Sequence, residues 1–494
     1  MYCFFTYLTL APFQCYHCSK FIYKIMKSFR NIGVLLLLSM SIFLAVIDLF
    51  VVNVAVPSIK ESLNGTNSGA MFIIVAYVMG YASFLITGSI AGNRWGKKKV
   101  YAWGMLLFTV FSLFCSIAQN TFQLNIFRFF QGVSAAFMVP QGVGMIPYVF
   151  PDFKDRTKAF GIYGSIAGAA SVIGQFLGGL LPELNIWGIE GWRLIFIINI
   201  PLGGTAFVLS ILKLKELPVI KQKSFDIFGL LLLTAFLITL IYPLIVGGES
   251  HWPFWSIAML IFSLLLLFIF YLYEKYRLAK LNPVLIDVNL FSLKEFNIGI
   301  LAAVFYYIAQ DSYFFLNAIY LQSHLNLSSV HVGNMFVLQG IGYFMASLFS
   351  VRFVIKYDYK VMLGGSCIMI LALVLHICYF TNEHINNILI YFILFLYGIG
   401  CGTMLPSMMT MALRKISSNL TASASGVYLT VQQISIALGV SIIGGIFFHL
   451  LGQNGDLLKA TVAYHYSTYA NILALVIVGG IFLFLSSRRN NAKE

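Results

Sequence analysis

The chain consists of long apolar runs separated by short polar segments. The apolar runs lie approximately at residues 32–56, 70–91, 99–118, 122–149, 159–181, 193–212, 227–247, 254–273, 297–321, 331–355, 361–380, 388–412, 424–450 and 466–486. Each is close to the ~20 residues that a helix needs to cross a bilayer. None shows the alternation of apolar and polar residues that is typical of membrane β-strands. The pattern therefore predicts fourteen transmembrane helices.

Composition and charge support an all-α polytopic membrane protein. Of the 494 residues, 60% are hydrophobic and only 10% are charged, whereas soluble domains carry about 25% charged residues. Nearly all of the 31 Lys and Arg residues lie in alternate loops on the side of both termini, while Lys60, Arg193 and Lys459 lie opposite and Arg128 falls inside a span. The positive-inside rule then places both termini in the cytoplasm of a multi-pass cell-membrane protein. The net charge of +14 reflects topology, and no nucleic-acid partner is expected.

Features of the first half recur in the second. The interval from Asp48 to Asp311 nearly equals the interval from Arg94 to Lys356, and such repeats are typical of transporters with a central substrate site. The predicted domains are an N-terminal extension (1–30), a six-helix bundle (31–215), two inserted helices (216–282), a second six-helix bundle (283–487) and a cytoplasmic tail (488–494). The extension is expected to be poorly structured or misassigned. Its Cys15, His17 and Cys18 lack a second ligand pair, so no metal site is predicted.

Two acidic residues, Asp48 and Asp311, fall inside predicted spans, in equivalent helices of the two halves. At the bilayer centre a carboxylate costs about 2.5 to 3.5 kcal/mol on insertion scales, so such residues are usually functional. We expect both helices to face a shared central cavity, with the acids carrying protons or contacting substrate charge. The alternative is a structural carboxylate, neutralised by an Arg or hydrogen-bonded to Asn53 or Asn317.

Arg128 lies in the segment LNIFRFFQG, at about the depth of Asp48 in the membrane. A guanidinium stays charged at physiological pH and must be paired or hydrated there. We therefore predict that Arg128 pairs with Asp48 and that protonation of Asp48 breaks the pair.

Two glycine-containing segments are further candidates. In the short turn within GSIAGNRWGKKKV, Gly92 and Gly96 permit a tight backbone, and Arg94 can reach helix ends and carboxylates of neighbouring spans. In span 5, small residues at helical spacing predict a close packing face for a neighbouring helix. The glycines of that face are Gly168, Gly174, Gly178 and Gly179.

Together these segments resemble the major facilitator superfamily, and in particular its fourteen-span drug:proton antiporter branch. The loop after span 2 is similar to the family's loop signature, with Asn93 at an aspartate position, and span 4 matches L-x-x-x-R-x-x-Q-G. The loop resemblance implies that closure is controlled by a gating loop of Gly92, Asn93, Arg94, Gly96 and Lys97. Span 5 is similar to the antiporter signature with Gln175 at the proline. GWRLIFIINIPLG (191–203) and FDIFG (225–229) resemble the same branch. The resemblance covers about residues 32–486 and implies two six-helix bundles plus two central helices.

The expected function is proton-coupled export of hydrophobic, cationic compounds by alternating access, without a cofactor and by a monomer. Uptake or export of a specific metabolite is the alternative, and a membrane enzyme or receptor is a remote one. The chain has no phosphate-binding Gly-Lys-Ser/Thr loop, and its histidines are scattered. Candidate cavity residues, which could equally form interhelical hydrogen bonds, are Asn53, Gln131, Gln175, Gln310, Tyr313, Gln339 and Gln432.

Overall fold

The chain folds almost entirely into α-helices. The computed structural model describes residues 11–186, 188–217, 226–249, 252–280, 282–357, 359–380, 388–412, 416, 421–452 and 457–491. The helices are α1 (Ala11–Ser62), α2 (Asn67–Trp95), α3 (Lys97–Ser116), α4 (Thr121–Val149), α5 (Phe153–Leu180), α6 (Gly191–Ile197), α7 (Asn199–Lys213), α8 (Ile227–Glu249), α9 (Phe254–Ala279), α10 (Lys294–Ile319), α11 (Ser329–Tyr357), α12 (Tyr359–Tyr379), α13 (Ile388–Ala412), α14 (Thr421–Leu451) and α15 (Leu457–Asn491). Short 3-10 turns lie at Leu181–Glu183 and Val288–Ser292, and a π-helical turn lies at Tyr320–His324.

The predicted number of spans is confirmed. Among the described residues, 14 helical segments are long and apolar enough to cross a membrane, and α6 and α7 together form one of them. The break between these two helices follows from Pro201, which has no N–H to offer the carbonyl of Ile197. Helix α1 begins at Ala11, well before the predicted span; Pro12 lies in its first turn, where proline is tolerated, and Pro57 lies inside the helix near its end. The cytoplasmic placement of both termini stays a prediction, as do the exact domain boundaries.

Helix packing has the two-fold repetition that the sequence intervals predict. In the first half α2 packs on α4 and α1 packs on α5; in the second half α11 packs on α13 and α10 packs on α14. The two halves meet where α5 contacts α11 and where α2 contacts α14. Helices α8 and α9 form a hairpin, and α8 lies against both α2 and α14. The large side chains Phe254, Ile261 and Leu264 of α9 are exposed, as expected for a surface that faces lipid.

The described glycines of α5 lie close to α11 at one end of the helix and have open space beside them toward the other. A Cβ on Gly179 would lie 2.4 Å from the carbonyl oxygen of Ser329, and one on Gly168 would lie 3.7 Å from the Tyr343 ring. A Cβ on Gly164 or Gly161 would meet no atom within 4 Å. The two helices therefore diverge toward the end that carries the basic loops. We call the closed end, where α1 ends and α11 begins, the outer end.

Candidate functional site

A buried ion pair lies inside the first bundle. Arg128 Nη1 of α4 donates to Asp48 Oδ2 of α1, and both side chains are fully buried. The pairing predicted from the sequence is thus confirmed. Burying two charges is costly unless their remaining hydrogen-bonding groups are also satisfied, so the surrounding polar side chains decide whether the pair is stable.

Three polar side chains surround the Asp48 carboxylate. Gln131 Nε2 and Asn199 Nδ2 donate to Asp48 Oδ1 at 2.9 and 3.0 Å, respectively. Gln131 Nε2 also lies 2.7 Å from Ser112 Oγ, which connects the pair to α3. Gln131 was a sequence candidate, whereas Asn199 and Ser112 were not. The helix break near Pro201, which places Asn199 at the start of α7, is the sequence feature that could have indicated its contact with Asp48.

Arg128 is held on its other side by a backbone carbonyl and by aromatic rings. Its Nε donates to the carbonyl oxygen of Ile73 at 3.0 Å. The guanidinium carbon lies 4.5 Å from the centroid of the Tyr77 ring and 5.7 Å from that of Phe196. Cation-π contacts of this kind gain strength when they are desolvated. The guanidinium therefore has a binding environment apart from Asp48, which a loss of the carboxylate charge would leave in place.

The Asp48 side chain points into the first bundle and not toward the second; that α1 and α10 face a shared central cavity stays a prediction. The partners of Asp48 come from α4 and α7 of the first bundle, and its side chain is inaccessible to solvent. The reason is the guanidinium: a carboxylate in an apolar helix turns toward the nearest cation and its hydrogen-bond donors. Contact between the bundles near this depth is instead apolar, with the rings of Phe50 and Phe314 at 5.2 Å.

Asp311 lies in a different environment. It is 6% exposed, and among the described residues no hydrogen-bond donor or cation engages its carboxylate. Tyr307, one helical turn earlier and on the same face, lies near it, as do Tyr397 and Cys401 of α13. The second bundle thus holds a carboxylate bordered by aromatic side chains, without the arginine that Asp48 has.

Tyr313 is packed among aromatic side chains, and its role as a cavity residue stays a prediction. Its hydroxyl lies 3.0 Å from His376 Nε2, and its ring stacks on Tyr397 at 3.9 Å between centroids, inside the second bundle. Residues two positions apart on an α-helix point about 200° apart, so Tyr313 and Asp311 face opposite sides of α10. The sequence alone did not give the rotation of this helix about its axis.

Several predicted cavity residues carry buried amide oxygens that have no hydrogen-bond partner in the part of the chain that the structure describes. They are Asn53, Gln175, Gln310 and Gln339, on α1, α5, α10 and α11. Gln433 of α14 shares this property, while the predicted Gln432 is half-buried. Because buried polar atoms are normally hydrogen-bonded, these oxygens are available to water or substrate.

The turn between α2 and α3 is packed tightly against α4. A Cβ on Gly92 would lie 1.7 Å from Gln141 Oε1, so no side chain fits there without displacing Gln141. Gly96 has a φ of 96°, which favours glycine. Lys97 Nζ donates to the carbonyl oxygen of Gly144 at 3.0 Å. Asn93 is half-buried and Arg94 is exposed.

Three of the four span 5 glycines make the predicted close contacts. A Cβ on Gly174 or Gly178 would lie 2.9 or 2.5 Å from a backbone oxygen of α1, and one on Gly179 would meet α11. Gly168 has only ordinary contact distances.

Polar contacts join the two bundles at the outer end. Gln322 Nε2, in the π-helical turn after α10, donates to the Val54 carbonyl oxygen at 2.8 Å. The backbone N–H of Val330 in α11 donates to Glu183 Oε1, after α5, at 3.0 Å. Within the second half, Ser329 Oγ donates to Gln322 Oε1 at 3.0 Å and holds Gln322 in place. Together with the divergence of α5 and α11, these bonds describe a molecule closed at the outer end.

Comparison with known proteins agrees with this architecture. The chain is 30% identical to the "Probable actinorhodin transporter" of Streptomyces coelicolor, over 82% of this chain and 71% of that protein. It is 25% identical to the "Multidrug resistance protein Stp" of Mycobacterium tuberculosis, over 82% and 74%. A crystal structure of a bacterial homologue of the human lysosomal transporter Spinster, in an inward-facing conformation, has the same fold, with a TM-score of 0.64 and 18% identity, over 93% of this chain and 97% of that one. The family profile of the Major Facilitator Superfamily matches residues 38–282 and 299–494. The chain therefore belongs to the major facilitator superfamily of membrane transporters.

Proposed function

We propose that this transporter exports hydrophobic organic cations from the cell in exchange for protons, by alternating access between its two bundles. It acts as a monomer in the cell membrane, carries out no chemical reaction, and uses the proton gradient in place of a cofactor. The names of its relatives, which refer to an actinorhodin transporter and to multidrug resistance, support export of such compounds.

The buried pair of Asp48 and Arg128 is the main observation in support of proton coupling. A proton on Asp48 would cancel its charge and remove the ionic attraction to Arg128. Arg128 would keep the Ile73 carbonyl and the Tyr77 ring, so the neutral acid becomes free to separate from it. Because Gln131 and Asn199 link the same carboxylate to α4 and α7, proton binding would change how α1 packs in the first bundle.

Asp311 is the candidate for substrate charge. Its carboxylate has aromatic neighbours and no cation among the described residues, and an organic cation fits such a site through its charge and through cation-π contacts. The amide oxygens of Gln310 and Gln339, which have no partner among the described residues, could accept hydrogen bonds from donor groups of the substrate. Substrate and proton would then neutralise different carboxylates in different halves of the molecule.

The test uses inverted membrane vesicles energised with a proton gradient and loaded from outside with a fluorescent lipophilic cation. We expect uptake into these vesicles, which corresponds to export from the cell, and its loss on collapse of the gradient. Asp48→Asn and Asp311→Asn should each lower the rate at least about tenfold, the effect of about 1.4 kcal/mol on the transport barrier. The exposed Glu216 provides the matched control, since Glu216→Gln should transport normally.

Each of the other outcomes contradicts the proposal in its own way. Movement of the dye in the opposite direction would indicate uptake by symport. Gradient-dependent transport that both aspartate variants retain would remove the carboxylates from the mechanism. Absence of transport across a panel of cationic and neutral compounds would favour a receptor or an enzyme.

A further inference from the structure

A second group of buried charged side chains lies outside the site described above, where the inserted hairpin meets the segment that leads to the second bundle. Glu274 of α9 is fully buried, and Asp226, immediately before α8, is 4% exposed. The group is completed by Tyr273 and Arg277 of α9. It is separate from Asp48 and Asp311 in the chain and in its partners.

One oxygen of each carboxylate accepts two hydrogen bonds. Asp226 Oδ1 accepts from the backbone N–H of Gly229 at 2.8 Å and from the Tyr273 hydroxyl at 2.9 Å. Glu274 Oε2 accepts from the backbone N–H groups of Leu285 and Ile286 at 3.0 and 3.4 Å. Glu274 therefore attaches the hairpin to the segment that continues into α10.

The other two oxygens face each other without a hydrogen bond. Neither Asp226 Oδ2 nor Glu274 Oε1 has a hydrogen-bond donor among the described residues. A Cβ on Gly229 would lie 2.7 Å from both of these atoms, so they converge on one point, and glycine leaves that point open. Arg277 Nε lies 3.3 Å from Asp226 Oδ2. On the described elements around the pair, Tyr273 and Arg277 are the titratable side chains that interact with it.

The two carboxylates lie close enough to interact, and they share one positive charge, that of Arg277. Like charges in a buried site disfavour the state in which both are ionised, and the usual solution is one proton held between them. A protonated carboxyl is also a hydrogen-bond donor, and a donor is what the two facing oxygens lack. One proton, two carboxyl groups and Arg277 together give a neutral cluster, which suits a buried position.

We propose that Asp226 and Glu274 form a proton-binding site, in which one exchangeable proton lies between Asp226 Oδ2 and Glu274 Oε1. When the proton leaves for water, two facing carboxylates remain and repel each other. Glu274 then moves away from Asp226 and loosens its hold on the backbone of Leu285 and Ile286. Proton occupancy at this site thus sets how firmly the hairpin is attached to the second bundle, whether or not transport itself is driven by protons.

The test is infrared spectroscopy of the purified full-length protein in lipid nanodiscs, as difference spectra between high and low pH. We expect a protonated-carboxyl band in the wild-type spectrum that is lost in both Asp226→Asn and Glu274→Gln. Each amide keeps a donor for its partner oxygen, so both variants should fold. Glu216→Gln, which changes an exposed acid, should retain the band. A band that persists in both variants would overturn the proposal.

Amide hydrogen exchange gives an independent test. Amide hydrogen exchange at Leu285 and Ile286, corrected for the intrinsic dependence of exchange on pH, should slow as the pH falls and the proton binds. In Glu274→Gln this pH dependence should be lost. Corrected exchange that does not change with pH in the wild type would contradict the proposal. Neither measurement involves transport, so failure here is distinguishable from failure of the proposed function.

Discussion

Removal of one charge from the buried Asp48–Arg128 pair should destabilise the protein strongly. In Asp48→Asn, Arg128 loses its counter-charge at a position with no solvent access. Breaking a buried pair by removing one partner costs about 3 to 5 kcal/mol. Arg128 retains the Ile73 carbonyl and the Tyr77 ring, which places the expected cost near the lower limit, at about 3 kcal/mol.

A double-mutant cycle separates the pair from the rest of the bundle. Arg128→Gln alone leaves the carboxylate buried with only the neutral donors Gln131 and Asn199, so a similar loss is expected. The double variant buries no charge and should recover much of it. We expect a coupling free energy of at least about 2 kcal/mol, within the range for residues in contact. Equilibrium unfolding of the purified protein in mixed detergent–lipid micelles is the assay.

The control and the refuting result are both specific. Asp155 is exposed in the first turn of α5, so Asp155→Asn should cost no more than about 1 kcal/mol, the usual value of a carboxylate at a helix start. If the coupling free energy of Asp48 and Arg128 falls within about 0.5 kcal/mol of zero, where independent sites lie, the two side chains do not act as a pair.

Three further predictions concern packing and polar contacts. The Cβ of Gly179→Ala would lie 2.4 Å from a backbone oxygen of α11, so this variant should weaken closure of the outer end and increase thiol labelling of a cysteine introduced there. Gly164→Ala, whose Cβ meets no atom within 4 Å, should leave the labelling unchanged. Gln322→Leu loses the bond to the Val54 carbonyl and should raise the same labelling. A hydrogen bond from Ser62 and, to a smaller extent, one from Arg193 lower the pKa of the Glu190 carboxyl. Its small stabilisation, below about 1 kcal/mol for an exposed pair, should therefore be present at neutral pH and disappear as the pH falls through that pKa; Glu190→Gln should unfold with a smaller pH dependence.

The sequence predicted the features that depend on membrane physics. The fourteen apolar runs correspond to fourteen spans, because in lipid a single segment can satisfy its backbone hydrogen bonds only as a helix. The ion pair was predictable for the same reason: a guanidinium and a carboxylate at similar depths in one bundle have few other partners. The close contacts of Gly174, Gly178 and Gly179 followed from their spacing on one helix.

Features that depend on helix rotation or on loop paths were not predictable. Tyr313 and Asp311 are two residues apart on α10, and only packing decides which neighbours each side chain meets. Asp226 lies just before the predicted span at 227–247, and Glu274 lies just after the one at 254–273. The sequence pattern therefore indicates that both are solvent-exposed acids in loops. Their burial depends on how the segment before α10 folds back over α9, which local sequence patterns do not reveal. Asn199 reaches Asp48 only because the span breaks near Pro201.

The most direct test of proton-coupled export is transport by the purified protein in proteoliposomes with an imposed pH gradient and no other energy source. We predict that a lipophilic cation accumulates against its own gradient, and that an imposed substrate gradient drives protons in the opposite direction. Both movements should be lost in Asp48→Asn. Substrate movement that only equalises concentrations and leaves the internal pH unchanged would contradict proton coupling.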